Sequence, residues 1–397
     1  MGDIELIMVT GNNNNKFYKM HDRGDGTFDV TFGRVGTSGQ MTSYPISKWD
    51  QKYNEKVRKG YRDVTELRAE KPLCDKGDGF KPIEIPEVAL LVSELRRMSR
   101  ETVKKNYLIS SAAVTPQMVQ EAQIVLNDII SATKVKQFND GLLELFAVIP
   151  RAMSFVPDYL AGSSDQFGSI IKREQELLDA MASQVDDVKQ EDSGLLVPEK
   201  TILESKGLII TPGNDKDIQT VTKMLGQSRH MLDKVFCVTN QKTQKVFDDF
   251  MNEHPIKTIN LWHGSRNENW WSILGSGLVL RPTNAIINGK MFGHGIYFAN
   301  SARKSIGYTS VNGSYWAGGT SKTGYLAVFE VGYGTPYDVY DWRHEYGNLD
   351  ANKLKKMAPN ADCLHAHKGT ALRNDEIIIY DERQLTIKYL VKIKGSI

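Results

Sequence analysis

Three short stretches late in this sequence carry the residue types that chemistry at a polar ligand needs. Leu261-Trp262-His263-Gly264-Ser265-Arg266 leaves an apolar, strand-like run and sets a histidine before a glycine. A glycine there lets a ligand approach the backbone, so that both N–H and C=O can be used. A single histidine is by itself more often structural than catalytic. Met291-Phe292-Gly293-His294-Gly295-Ile296-Tyr297-Phe298-Ala299 is the second stretch. Gly293 and Gly295 match part of a dinucleotide-binding fingerprint. The third glycine is missing and no βαβ unit surrounds them, so a tight turn before a strand is the plainer reading. Lys304-Ser305-Ile306-Gly307-Tyr308 follows, with Ser305 and Tyr308 one helical turn apart. Asn374-Asp375-Glu376-Ile377-Ile378-Ile379-Tyr380 is the third. Glu376 opens an apolar, β-branched run, and two readings stay open: a solvated strand edge, or an acid held in a cleft where a sheet opens.

These stretches need a scaffold, and the chain has three regions of different texture. From Lys200 onward, strands alternate with a few short helices. Residues 208–210, 325–331, 376–380 and 385–393 are apolar and strand-like, and 309–324, rich in Gly, Ser and Thr, read as a loop. This pattern predicts an α+β domain over 200–397. Residues 82–192 read as helix. Val88, Leu91, Val92 and Leu95 form one stripe. Thr115-Pro116 is an N-cap with proline at the first helical position, continued by Val119, Ala122, Leu126, Ile129 and Ile130. Leu142, Leu145, Phe146 and Ile149 make a third helix, stopped by Pro150. Phe167, Ile170, Ile171, Glu174, Leu177, Leu178 and Met181 make a fourth, with one charged member. These stripes predict the core of an all-α bundle, and acidic residues 186–194 predict a linker. Residues 1–81 are strand-like: Phe17, Tyr18, Phe28, Val30, Phe32 and Val35 lie between turn signals at Gly11-Asn12, Asp25-Gly26 and Ser38-Gly39. One helix follows, in which Trp49, Tyr53, Val57 and Tyr61 would share a face.

Taken together, His263, Tyr297 and Glu376, in that order and spacing, resemble the His-Tyr-Glu triad of the poly(ADP-ribose) polymerases. The resemblance extends upstream. Residues 86–181 are similar to that family's helical regulatory domain, and residues 1–81 to a WGR domain, with Phe32-Gly33-Arg34-Val35-Gly36 at its signature. The resemblance implies a small β-rich WGR-like domain (1–81), an all-α regulatory bundle (82–192) and an α+β ADP-ribosyltransferase domain (200–397). It further implies that NAD⁺ is the substrate and that the nicotinamide–ribose bond is cleaved. Proteins, the chain itself among them, or nucleic acids would accept the ADP-ribose, as would the growing chain.

In such a reaction nicotinamide leaves as a neutral molecule, so a general acid is unnecessary. The transition state resembles an oxocarbenium ion, which a carboxylate near a ribose hydroxyl favours. The resemblance gives that place to Glu376, which would also polarise the attacking hydroxyl of a growing chain. Gly264 and Ser305 would hold the nicotinamide amide, with Ser265 beside them. Tyr308 would stack on the ring, Tyr297 would form the opposite wall, and His263 would bond the adenosine ribose. Lys304 matches a basic residue beside the glutamate, and Arg281 lies near the segment over adenosine. The sequence departs from the family at Lys290, where relatives carry Tyr, at Asp375, where the neighbour of the glutamate is usually neutral, and at Phe32, in place of Trp.

Composition bounds the remaining readings. The 397 residues exceed one ordinary core, and 40% hydrophobic with 25% charged residues is a globular composition. A net charge of +2 means that any nucleic-acid contact must be a local patch. One candidate is the stripe Lys48, Lys52, Lys56 and Lys59, read either as a solvated helix face or as phosphate-binding; the WGR resemblance favours damaged DNA, met at Phe32, Gly33, Arg34, Lys48 and Lys52. Cys363-x-His365-x-His367 has no fourth ligand in view and no paired cysteine motif, so no metal is expected. Cys74, Cys237 and Cys363 suggest no disulfide framework. No signal peptide, myristoylation pattern or membrane span is recognised. The expectation is an intracellular protein, nuclear if eukaryotic and otherwise cytoplasmic or nucleoid-associated, monomeric off DNA. Three functions are weighed: a DNA-regulated poly(ADP-ribose) polymerase, a transferase of single ADP-ribose units, and a nucleic-acid-end binder with a silent NAD⁺ pocket.

Overall fold

The computed structural model describes residues 2–65, 80–108, 114–191, 200–280, 291–369 and 372–395. It divides into two compact units. Among the described residues, the first holds everything up to 65 and from 100 to 191. The second holds 80–99 and everything from 200 onward.

The first unit opens with five strands, β1 (Ile4–Thr10), β2 (Asn14–Asp22), β3 (Thr27–Arg34), β4 (Gln40–Pro45) and β5 (Arg62–Asp63), with α1 (Trp49–Arg58) between the last two. They pair antiparallel in the order β4-β3-β2-β1-β5. Alternation buries Tyr18, Met20, Phe28 and Val30 on one face with Leu6, where Trp49 meets Phe28 edge-on at 5.0 Å. The shared face expected of α1 is shorter than its spacing implied. Val57 is exposed and Tyr61 lies beyond the helix end, because Lys59 and Gly60 turn the chain back toward β5.

Three helices complete this unit: α3 (Pro116–Ile130), α4 (Val135–Val148) and α5 (Phe167–Glu191). A fourth, α2 (Pro86–Asn106), enters it from Arg100. The Thr115 hydroxyl caps α3 by accepting from the Met118 N–H. α4 ends where Ile149, ahead of Pro150, turns extended. Ala122, Leu126, Phe138, Leu142, Phe146, Leu178 and Met181 form the core, with Phe138 and Phe167 stacked at 3.9 Å. The charged member of the α5 stripe is explained by its partner: Glu174 is buried against Arg151 at 2.7 Å. The predicted linker is corrected in part, since α5 runs on to Glu191.

The stripe Val88, Leu91, Val92 and Leu95 forms a helix as expected, yet it is not core of the helical group. These residues pack with Leu203, Trp270, Trp271 and Tyr325 in the second unit. Glu94 ties this half of α2 down, accepting from the Tyr325 hydroxyl at 2.8 Å and from Lys392 at 2.6 Å.

The second unit adds α6 (Ile202–Lys206), β6 (Leu208–Pro212), α7 (Asp215–Leu225), β7 (Leu232–Asn240), α8 (Gln241–Glu253), β8 (Thr258–Gly264), α9 (Trp270–Ser276), β9 (Ile296–Phe298) and α10 (Ala302–Ile306). There follow β10 (Thr323–Gly332), β11 (Pro336–Val339), α11 (Ala351–Met357), β12 (Cys363–Ala366), β13 (Glu376–Ile379) and β14 (Leu385–Lys394). One sheet has the order β6-β7-β14-β10-β8, the other β11-β12-β13-β9. The first is antiparallel throughout, and in the second only β11 and β12 run parallel. β10 is apolar at successive positions because both its faces are covered: Tyr325, Ala327 and Phe329 enter one core, Leu326 and Val328 another.

Candidate active site

The edge strands β8 and β9 of the two sheets are stitched together by reciprocal N–H to C=O bonds between Trp262 and Ala299, 2.8 and 2.9 Å long. This seam brings the three motifs together. His263 is the penultimate residue of β8, Tyr297 the centre of β9, and Glu376 the first residue of β13, which pairs with β9.

The His263 Nδ1–H donates to the Tyr297 carbonyl at 3.0 Å. A carbonyl can only accept, so the contact keeps a proton on Nδ1 and sets the ring's orientation. Trp270, Phe298 and Phe329 meet that ring edge-on. The Tyr297 hydroxyl accepts from the Phe292 N–H at 3.0 Å and donates to the Gly293 carbonyl at 3.1 Å. Burial above all, with the Glu376 charge adding, pushes this phenol well above the ordinary tyrosine range. Gly293 and Gly295 serve packing, as the turn reading expects. A Cβ at Gly293 would lie 2.2 Å from the Leu349 carbonyl oxygen, and one at Gly295 would lie 2.1 Å from Ile378.

Glu376 is 6% exposed. Its Oε1 accepts from Lys304 Nζ, also buried, across 72 positions of sequence. Its Oε2 is buried and meets no donor among the described residues. An acceptor stranded in this way costs about 1–3 kcal/mol, more when charged, until something donates to it.

Lys304 and Ser305 lie on α10, and Ser305 packs against Gly264. A Cβ at position 264 would sit 1.9 Å from the Ser305 carbonyl oxygen, so the glycine lets β8 and α10 touch. The Ser265 hydroxyl accepts from Asn269 at 3.0 Å. Just past α10, Tyr308 stacks on Trp316, 4.7 Å between centroids and 12° between planes. Burial, and then the Glu376 charge, push the Tyr308 phenol up to about 12. Trp316 comes from the stretch read only as a loop, where the adjacent pair Tyr315-Trp316 carried no periodic signal. Asp375, the unusual neighbour of Glu376, accepts from Asn300 at 3.1 Å and from the Lys368 N–H at 2.7 Å. Arg281 and Lys290 lie outside the described residues, as does Cys74.

Four of the five residues read as a DNA contact, Phe32, Gly33, Arg34 and Lys52, pack or bond within the unit. Arg34 donates to the Asn13 carbonyl at 3.1 Å and to the Met153 and Ser154 carbonyls at 3.2 and 2.9 Å. Its fork thus fastens β3 to the segment after α4 within the first unit. Gly33 is required by Gly39, whose Cα would stand 2.9 Å from a Cβ there. Phe32 is half-buried against Tyr18, 6.3 Å between rings. Lys52 Nζ lies 4.5 Å from the Tyr44 ring centroid and 3.8 Å from Glu55, while Lys48 is exposed.

Among the described residues, no helix is long and apolar enough to cross a membrane. The pattern of the poly(ADP-ribose) polymerase catalytic domain matches residues 215–395. The chain is 34% identical over 184 residues to the uncharacterized protein 101L of Invertebrate iridescent virus 6, covering 46% of this chain and 76% of the viral one. It is 23% identical over 463 aligned positions to poly [ADP-ribose] polymerase 2 of Zea mays, covering 96% of this chain and 68% of the plant protein. To poly [ADP-ribose] polymerase 2 of Homo sapiens it is 32% identical over 157 residues, 34% of this chain and 26% of the human protein. Through this catalytic domain the chain belongs to the poly(ADP-ribose) polymerase family, and it is an ADP-ribosyltransferase whose substrate is NAD⁺.

Proposed function

We propose that the enzyme builds chains of ADP-ribose on protein acceptors, itself included, and that DNA breaks stimulate it. The observation that carries the catalytic part is the half-satisfied Glu376 carboxylate, held by Lys304 through one oxygen and without a donor at the other. A ribose hydroxyl of NAD⁺ would supply the missing donor. That bond would strengthen as positive charge grows on the ribose and nicotinamide departs. Once the bond is cut, the same oxygen would accept from the hydroxyl of the growing chain.

The other residues take positioning roles in this reading. The Gly264 backbone and Ser305, with Ser265 beside them, would hold the nicotinamide amide. Tyr308, backed by Trp316, would stack on the ring, and Tyr297, pinned at its hydroxyl, would form the facing wall. His263, its proton held on Nδ1, would bind the adenosine ribose, with Arg281 near that end.

The regulatory part rests on the resemblance of residues 1–81 to a WGR domain and of 82–192 to a helical regulatory domain. Phe32, Lys48 and Lys52 would face the DNA end. Arg34, fastened to the Met153 and Ser154 carbonyls, would pass the event from the sheet to the helices.

The test replaces Glu376 with Gln and measures NAD⁺ binding and polymer growth separately. Binding should stay within several-fold of wild type while polymer growth falls about 10²–10³-fold. Long polymer made at the wild-type rate would overturn the assignment. Titrating nicked, blunt-ended and closed circular DNA against activity tests the regulatory part, and equal activity with and without every DNA removes it.

A further inference from the structure

The smaller sheet of the second unit carries, at its outer edge, three side chains whose donor atoms converge. β11 and β12 run parallel with Asp338 opposite His365. His367 follows two residues on, its N–H bonded to the Val339 carbonyl at 2.8 Å. Residues two apart on an extended segment share a face, and the two imidazoles stack at 3.9 Å. One nitrogen from each histidine and one Asp338 oxygen all lie within 4.8 Å of one another. His367 Nε2 is 2.6 Å from Asp338 Oδ1. His365 Nδ1 is 2.7 Å from the Tyr333 hydroxyl, while its Nε2 is buried without a hydrogen bond.

We propose that Asp338, His365 and His367 bind a late first-row divalent cation, zinc foremost, at a site separate from the transfer reaction. Two neutral imidazoles and a carboxylate are a donor set zinc accepts, and copper or cobalt can share it. One tautomer of His365 favours an ion. If its Nδ1–H donates to the Tyr333 oxygen, the buried Nε2 carries a lone pair aimed at no donor, which is costly unless a cation takes it. A histidine tied at one nitrogen and ligating through the other is the usual arrangement at zinc.

A tetrahedral ion could be reached by small side-chain shifts, the two stacked rings tilting apart and the donor atoms, now within 4.8 Å of one another, drawing together. Ligands bonded at about 2.0–2.1 Å stand roughly 3.4 Å apart. Asp375 Oδ2 is 3.5 Å from His365 Nε2, so it stands beside the fourth position. The contact between His367 and Asp338 would open by less than about 1 Å as the ion replaces a proton. The Asp338 side chain is 44% exposed, which gives the ion a way in. Asp375 directly precedes Glu376, and Ala366 pairs across from Glu376. A bound ion would therefore clamp the strand ends that carry the catalytic glutamate, without touching its carboxylate.

The experiment takes the untagged full chain, stripped with a chelator, and titrates it with Zn²⁺ and Co²⁺. Equilibrium dialysis, the visible spectrum of bound cobalt and the melting temperature are followed. One ion per chain is expected, with a rise in melting temperature that grows with zinc concentration. His367→Gln and Asp338→Asn should each weaken binding at least tenfold and abolish the thermal shift. Tyr333→Phe should weaken it about tenfold by untying His365. Metal-free His367→Gln should keep wild-type transferase activity. If that variant melts early without metal, Asp338→Asn, altered at an exposed side chain, carries the same comparison. No saturable binding to the wild type, or one ion retained at undiminished affinity in both variants, would overturn the site.

Discussion

Glu174 and Glu376 are both acids within apolar runs, one on a helix and one on a strand, and both are buried against a cation. They differ in what remains unsatisfied. Glu174 takes donors at both oxygens, Arg151 at 2.7 Å on one and Arg173 at 3.0 and 3.1 Å on the other. Arg151 lies over the Tyr107 ring at 4.9 Å. That carboxylate is fully engaged, and its work is to hold helices to the chain around residue 151. Glu376 has a donor on one oxygen only. A buried carboxylate satisfied at both oxygens has no acceptor left over, whereas one satisfied at a single oxygen can still take a donor from a ligand.

Glu174→Gln should break this comparison most visibly. It leaves Arg151 buried with its charge uncompensated, at a cost of about 3–5 kcal/mol in urea unfolding. Glu376→Gln should lose less than half as much. The charge of the stranded oxygen disappears with the substitution, which offsets part of what the lost ion pair costs. Equal losses from the two variants would mean that both pairs are structural.

A smaller effect is expected from Gly264→Ala. The new Cβ would meet the Ser305 carbonyl, which is backbone and cannot swing aside, so β8 and α10 must separate. The KM for NAD⁺ should rise by roughly tenfold, with about 1–3 kcal/mol lost in stability. An unchanged KM would show that the contact between Gly264 and Ser305 does not shape the substrate site.

The smallest effect concerns alkaline pH. Burial pushes Tyr308 in the catalytic unit and Tyr18 in the N-terminal sheet up to about 12. Unfolded tyrosines ionise near 10, so between 10 and 12 the native state holds more protons than the unfolded state. Stability is then fully present below pH 10 and falls as pH rises toward 12. Ultraviolet titration of phenolate against melting temperature checks this, and melting that is flat from pH 9 to 11.5 would contradict it.

Much of the local structure was legible. Thr115-Pro116 marked a helix start, Pro150 a helix end, and the alternation in β2 and β3 a half-buried sheet, because each signal is written within a few adjacent residues. The His263, Tyr297 and Glu376 motifs were legible as a set, and the fold brings them to one seam. Val57 misled because four-residue spacing predicts a shared face but not whether anything covers its far end. Residues 186–191 misled because acidic composition is as compatible with the end of a helix as with a linker.

The sequence by itself determined where helices and strands form, since periodicity, caps and turn residues act over one or two turns of chain. Only the tertiary structure decided which of those elements meet. It sent the Val88 to Leu95 stripe of α2 into the core of the second unit, turned the Arg34 fork onto the Met153 and Ser154 carbonyls, and set Lys304 on Glu376 and Asp338 beside His365 and His367. These partners lie 27 to well over 100 positions apart in the chain. Sheet order and strand register set their meeting, and no window of local sequence encodes either.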